Sequence, residues 1–204
     1  MNKHLALLTL ASVVGFTGAV SPAYAADRPI AGTKIVLRDP VLQTQRRFNF
    51  LSKDSSITFG SNADSDTPTV NGASVLLFNP TSGECQCIIL PAYRWAIGGA
   101  GNRYLYRDPA TTVSPVKIAL IKDRKLKVVA AGTGLTGVTL DEITQGEMAV
   151  HYTSGTGNKL CADFSPSSVR HDQPGAFIAV NSGAPGACLA EPAACTPCVP
   201  PIVP

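Results

Sequence analysis

Apolar residues along this chain come in short runs that alternate with polar ones and end at turn-forming residues. Residues 34–38 (Lys-Ile-Val-Leu-Arg) stop at Asp39-Pro40, where proline cannot donate to a sheet ladder. Residues 46–52 set Phe48 and Phe50 against Arg47, Asn49 and Leu51, the period of a half-buried strand. Residues 75–78 (Val-Leu-Leu-Phe) are apolar without a break and end at Asn79-Pro80, which predicts a buried strand. Similar runs predict strands over 57–60, 84–90, 103–107, 116–121, 125–130, 138–143, 147–153, 160–164 and 177–180. Alternation places Val116, Ile118 and Leu120 on one face. It places Met148, Val150 and Tyr152 opposite Glu147, Ala149 and His151, so His151 is expected in solvent. Residues 61–68 read as a polar loop whose Asp64 and Asp66 are too few for a calcium site. No long stretch beyond the first 25 residues has helical periodicity. About a dozen strands with closely spaced turns predict an all-β fold, either a β-sandwich or two fused small β-units.

Part of the pattern occurs twice. Gly32-Thr33-Lys34-Ile35-Val36-Leu37-Arg38-Asp39-Pro40 matches Gly101-Asn102-Arg103-Tyr104-Leu105-Tyr106-Arg107-Asp108-Pro109, and Lys53-Asp54 matches Lys122-Asp123, at one ungapped offset of 69 residues. This reads as an internal duplication with units at about 32–100 and 101–188. Inside the match, Phe48 and Phe50 fall opposite Lys117 and Ala119, so the alternation is inverted; either a bulge restores its phase or the strands are buried on both faces.

The ends of the chain differ from this β-rich body. Residues 1–25 have a basic start (Lys3, His4), an apolar run over 5–20 and the small-x-small site Ala23-Tyr24-Ala25, the features of a secretory signal peptide. After cleavage no run is long enough for a membrane span, and the mature protein is expected to be secreted, periplasmic or at the cell surface. Residues 26–188 form the β-rich domain. Residues 189–204 carry prolines at 192, 197, 200, 201 and 204 and read as an extended tail. Without Lys3, 16 basic residues face 14 acidic ones, a balance that gives no case for nucleic acid as a partner.

Cysteine usage agrees with export. Cys85, Cys87, Cys161, Cys188, Cys195 and Cys198 are even in number, which favours disulfides in an oxidising compartment. Six thiols admit fifteen pairings. The favoured ones join Cys161 to Cys188 and bring Cys85 and Cys87, which share a strand face, to Cys195 and Cys198, stapling the tail to the sheet. Local closure of Cys85–Cys87 and Cys195–Cys198 competes, as does a four-thiolate zinc site. Prolines around Cys195-Thr196-Pro197-Cys198 deny it the helix that a redox-active thiolate uses.

The remaining motifs are weak. Gly132-Thr133-Gly134-Leu135-Thr136-Gly137 fits a dinucleotide fingerprint in spelling, but the residues after it read as a strand, not a helix. His171-Asp172, behind Ser165, Ser167 and Ser168, sketches a hydrolytic triad in a loop without a nucleophile elbow. Trp95 is a candidate sugar-stacking platform as well as a core aromatic. Lys122, Arg124, Lys125 and Lys127, with Arg46 and Arg47, are candidates for binding an acidic glycan or envelope polyanion.

No catalytic residue, cofactor or metal is assigned by these patterns. They point first to a non-catalytic exported β-domain, a cell-surface, extracellular-matrix or assembly component that contacts itself through strand edges or other envelope proteins. A polyanion- or carbohydrate-binding module is the alternative, and an extracytoplasmic hydrolase around His171 is the second alternative.

Overall fold

The structure, a computed structural model, describes residues 27–58, 67–155, 157 and 159–199. The expected signal peptide over 1–25, the expected loop with Asp64 and Asp66, and Pro200, Pro201 and Pro204 lie outside these residues. Thirteen strands are described: β1 (Asp27–Pro29), β2 (Gly32–Arg38), β3 (Arg47–Ser52), β4 (Ala73–Phe78), β5 (Cys85–Leu90), β6 (Trp95–Gly98) and β7 (Arg103–Arg107). The others are β8 (Val116–Lys122), β9 (Lys125–Ala131), β10 (Met148–Ser154), β11 (Lys159–Phe164), β12 (Val169–Gln173) and β13 (Ala176–Ser182). A single helical turn, α1 (Pro68–Asn71), precedes β4.

The fold is an all-β sandwich of two sheets. The smaller runs β1-β11-β10-β4-β5 and the larger β12-β13-β2-β3-β9-β8-β7-β6. Every pairing is antiparallel except β1 with β11. One core lies between the sheets, built from inward residues such as Ile35, Phe48, Phe50 and Tyr106 of the larger sheet and Val75, Leu77, Val150 and Phe164 of the smaller. Phe50 and Phe164 meet edge to face across it. The two matched segments both feed this core. Each contributes a hairpin to the larger sheet (β2–β3 and β7–β8) and is followed by a hairpin in the smaller one (β4–β5 and β10–β11).

The expected face of Val116, Ile118 and Leu120 does not form. The register between β8 and β9 shifts between Val116 and Ile118, so Lys117 is an extra residue. Val116 is buried before the bulge; after it Ala119 and Ile121 point inward and Ile118 is 39% exposed. The bulge returns β8 to the phase of β3, where Phe50 is likewise inward at the position matching Ala119.

Residues 138–143, expected as a strand, belong instead to an irregular connection over 132–147. Its apolar residues Leu135 and Leu140 are buried, so the pattern reports burial without pairing. Its backbone donors go to side chains of neighbouring elements, which removes the need for a ladder. Thr136 and Gly137 N–H donate to Gln86 Oε1, Thr139 N–H to Glu84 and Leu140 N–H to Asp39, while Gln145 and Gly146 N–H donate to Asp172. Gly137 is needed there because a Cβ would lie 2.3 Å from the Cys85 carbonyl oxygen. Residues 57 and 58, also expected in a strand, are coil, although Ile57 is buried and its carbonyl accepts from Arg124 N–H at 2.8 Å.

The chain end forms a third layer. Disulfides join Cys85 to Cys195, Cys87 to Cys198 and Cys161 to Cys188, and no cysteine is free. Residues 188–199 thereby cross the outer face of the smaller sheet from β11 to β5. They cover Leu76, Phe78 and Ala149, and Ser74 Oγ donates to the Cys198 carbonyl at 2.7 Å. The 27-residue separation of Cys161 and Cys188 corresponds to about 3.5 kcal/mol in the chain-entropy model.

His151 is therefore not in solvent. It is 1% exposed, edge to face with Phe78, and its Nδ1 lies 2.9 Å from Glu191 Oε1 of the strap. Lys159 bridges Glu191 at 3.2 Å and Asp27 at 3.1 Å, joining the strap to the end of the edge pair where β1 and β11 begin. The His151 hydrogen bond, opposed by burial and aided by Lys159, holds the Glu191 carboxyl below its ordinary range.

Glu191→Ala is expected to destabilise the protein by about 1–3 kcal/mol in urea unfolding, since buried His151 loses its partner. Glu191→Gln, which keeps an acceptor, should recover part of the loss. Asp108 offers a separate test. Burial opposes its ionisation, but hydrogen bonds from Val113, Ser114 and Thr112 prevail and hold its pKa at about 2. This depressed value contributes stability fully above the unfolded carboxyl's range and loses it as pH falls toward about 2. The stability gap between wild type and Asp108→Asn should accordingly narrow from pH 5 to about 2 in denaturant titrations.

Candidate functional site

Adjacent residues on a strand face opposite ways, so the inward core of the larger sheet fixes what its other face displays. Register places Lys34, Leu51, Lys127, Leu120 and Leu105 in one row across β2, β3, β9, β8 and β7. Val36, Asn49, Val129, Ile118 and Arg107 form a second row. Arg38 and Arg47 lie directly opposite each other at one end, and Lys125, Lys122 and Arg103 follow one another at the other end. No Asp or Glu occupies these positions. The ion pairs among the described residues, Arg46–Asp39, His151–Glu191, Lys159–Asp27 and Lys159–Glu191, leave all these cations out. The face crosses eight strands, roughly 34 Å at ordinary strand spacing.

The sequence-derived cationic group is thus divided. Lys122, Lys125 and Lys127 are on this face. Arg124 occupies the β8–β9 turn at φ 59° and is exposed. Arg46 points the other way, paired with Asp39 and donating to the Leu135 carbonyl at 2.8 Å, whereas Arg47 is exposed on the face. Lys34, Arg38, Arg103 and Arg107, which join Arg47, Lys122, Lys125 and Lys127 on this face, were not assembled from the sequence. Their signal was present, because Lys34-x-Val36-x-Arg38 and Arg103-x-Leu105-x-Arg107 repeat a cation–apolar–cation alternation at the same offset.

Other candidate positions have structural roles. Trp95 is no platform: it is 6% exposed, stacks edge to face on Tyr106 at 5.5 Å and donates Nε1–H to the Leu90 carbonyl. Its position on β6 turns the indole inward. His171 and Asp172 lie in β12, not a loop, and as strand neighbours they diverge. The Asp172 carboxylate is occupied by Gln145 and Gly146 N–H, and Ser165 Oγ bonds Ser167 Oγ. The sketched triad is not assembled. All four cysteines of the zinc alternative, Cys85, Cys87, Cys195 and Cys198, are in disulfides and cannot offer thiolates. No helix follows Gly132, Gly134 and Gly137, so no N-terminal amides cradle a pyrophosphate. Carboxylate oxygens of Glu84, Asp141 and Glu142 lie within 4.8 Å of one another, with Thr139 Oγ1 bonding Glu84 and Asp141 and Gln145 bonding Glu142.

No family model matches the chain, and no curated protein or solved structure matches it.

The face carries three like-charge neighbours, Arg38/Arg47, Lys122/Lys125 and Lys122/Arg103. Like charges directly across a ladder destabilise it. Arg47→Gln and Lys122→Gln are each expected to raise stability by a few tenths of a kcal/mol at low salt, with the gain fading as salt screens the repulsion. Thermal unfolding at two salt concentrations measures this.

Proposed function

We propose that the protein is an exported, non-catalytic β-sandwich that attaches to an acidic glycan through the outer face of its larger sheet, as a component of a cell surface or matrix. One observation carries the reading: Lys and Arg gather on that face with no carboxylate at its strand positions, Asp123 lying in the β8–β9 turn, although the whole chain is almost balanced in charge. A broad array of cations attracts an anionic polymer over its length, and the half-buried Val36, Leu51, Leu105 and Leu120 between them offer surface to sugar rings.

Three disulfides support an oxidising destination, and among the described residues no helix is long and apolar enough to cross a membrane. Strand-edge assembly has less support. The edge strands β1 and β6 are three and four residues long, β12 is bulged between Val169 and His171, and the 132–147 connection packs along β5. Short, bulged or covered edges are poor templates for strand addition. A bilayer is also a weaker partner than a polymer, because among the face's apolar residues only Ile118 is strongly exposed.

The test is retention on immobilised polygalacturonate and heparin, with neutral dextran and phosphatidylglycerol vesicles as comparisons. Salt-sensitive retention on the acidic polymers, weakened by Lys122→Glu with Lys125→Glu, is expected. Equal retention on neutral dextran, or binding to vesicles alone, would overturn the reading.

A further inference from the structure

The two ends of the cationic face are not alike. Lys122, Lys125 and Arg103 lie beside the β8–β9 turn. Arg38 and Arg47, in contrast, border a groove of about 480 Å³ with Val36 and Asn49 in its floor and Pro40, Gln45 and Gly175 in its walls. The groove is open to solvent, so a unit of a polymer lying along the face can enter it without leaving the chain. The neighbours of the arginine pair in its own row are Ala176 and Ala131, small residues that leave the guanidinium groups room on both sides.

The groove is also fixed by the fold. One wall is the β2–β3 connection, tied at its base by the Asp39–Arg46 pair. The other is the β12–β13 turn, tied to that base by the hydrogen bond from Asp39 N–H to the Gly175 carbonyl. Gly175 has φ +81°, and a Cβ there would lie 3.3 Å from the Asp39 carbonyl oxygen, so the close approach depends on glycine. The Asp39 carboxylate, the acidic group nearest in sequence, is turned away toward Arg46 and Leu140 N–H. None of the groove-lining residues is acidic. Two opposed guanidinium groups are thus held without a protein counter-charge, in a recess that also presents two carboxamides and an aliphatic floor.

Guanidinium forks pair with oxyanions through parallel hydrogen bonds, which a lysine cannot reproduce. Carboxamides donate to and accept from hydroxyls, and Val36 and Pro40 offer apolar contact to a ring. We propose that this groove is the subsite for a single oxyanion-bearing sugar of the acidic glycan, its carboxylate or sulfate held between Arg38 and Arg47 and its hydroxyls met by Gln45 and Asn49. The proposal rests on the glycan-binding reading and adds to it a defined position where one sugar is recognised, beyond diffuse attraction along the face.

Calorimetric titration tests it with a short oligogalacturonate, which carries only carboxylates, a sulfated dextran oligomer, which carries only sulfates, and neutral dextran. Wild type, Arg38→Ala, Arg47→Ala, Arg47→Lys and Lys125→Ala are compared, each checked for the native circular dichroism spectrum. Loss of about tenfold or more in affinity is expected for either arginine-to-alanine variant. Arg47→Lys should fail to restore it, and Lys125→Ala should lose only twofold to threefold. The acidic oligomer that shows this arginine dependence identifies the oxyanion as carboxylate or sulfate. Equal losses for Arg47→Ala and Lys125→Ala would overturn the subsite and leave the face reading intact. Rescue by lysine, or equal binding of neutral dextran, would likewise overturn the subsite. Binding of none of the acidic oligomers or polymers would overturn both.

Discussion

The smaller sheet is apolar on both sides, and the rest of the structure follows from covering it twice. In β4, Val75 and Leu77 face the inter-sheet core while Leu76 and Phe78 face the other way. A sheet of that kind cannot leave one side in water without exposing large apolar side chains. The larger sheet covers the first side. The second is covered by the chain's own end, a segment of mostly small residues in which Leu189 and Val199 are the large aliphatic side chains. Three disulfides hold it in place, and Glu191 on its underside pairs with His151 Nδ1 and with Lys159.

Charge is divided in a way that net charge conceals. Carboxylates are spent on holding irregular backbone in place. Asp54 accepts from Ala31 and Ser56, Asp108 from residues 112–114, Asp172 from 145 and 146, and Glu84 and Asp39 from the 132–147 connection. These acceptors lie at the ends of strands, where the ladder stops and free amides need partners. The cations of the larger sheet occupy outward strand positions, Lys34 and Lys127 within strands and Arg38, Arg47, Arg103, Arg107, Lys122 and Lys125 at strand ends. A protein with almost equal numbers of both signs can therefore present one face with a single sign.

That separation gives the larger sheet its functional interest. Its outer face carries rows of cations and aliphatic residues across five neighbouring strands, β2, β3, β9, β8 and β7. The groove at Arg38 and Arg47 adds local shape to a face that is otherwise an electrostatic field. The opposed arginines work against the stability of the β2–β3 ladder, a cost that an anion between them would offset.

Period-two alternation in the sequence was enough to determine the all-β architecture, most of the strands and the inward residues Phe48, Phe50, Met148, Val150 and Tyr152, because alternation is a property of a single strand. The cysteine spacing narrowed the pairing for the same local reason, since Cys85 and Cys87 must share a face. What the sequence left open depended on the other elements each segment meets. Val138 and Leu140 have the composition of a strand, yet they lie in a connection whose amides go to side chains more than fifty residues away in sequence or close by in the fold. His151 looked exposed because its strand neighbours are polar at one end, and only the strap, forty residues later, buries it. The inverted alternation opposite Phe48 pointed to a bulge in β8, but that Lys117 is the extra residue was decided by pairing with β9. The cationic face and the Arg38/Arg47 groove arise from register between strands, and register was settled by packing of the whole core, which no single segment encodes.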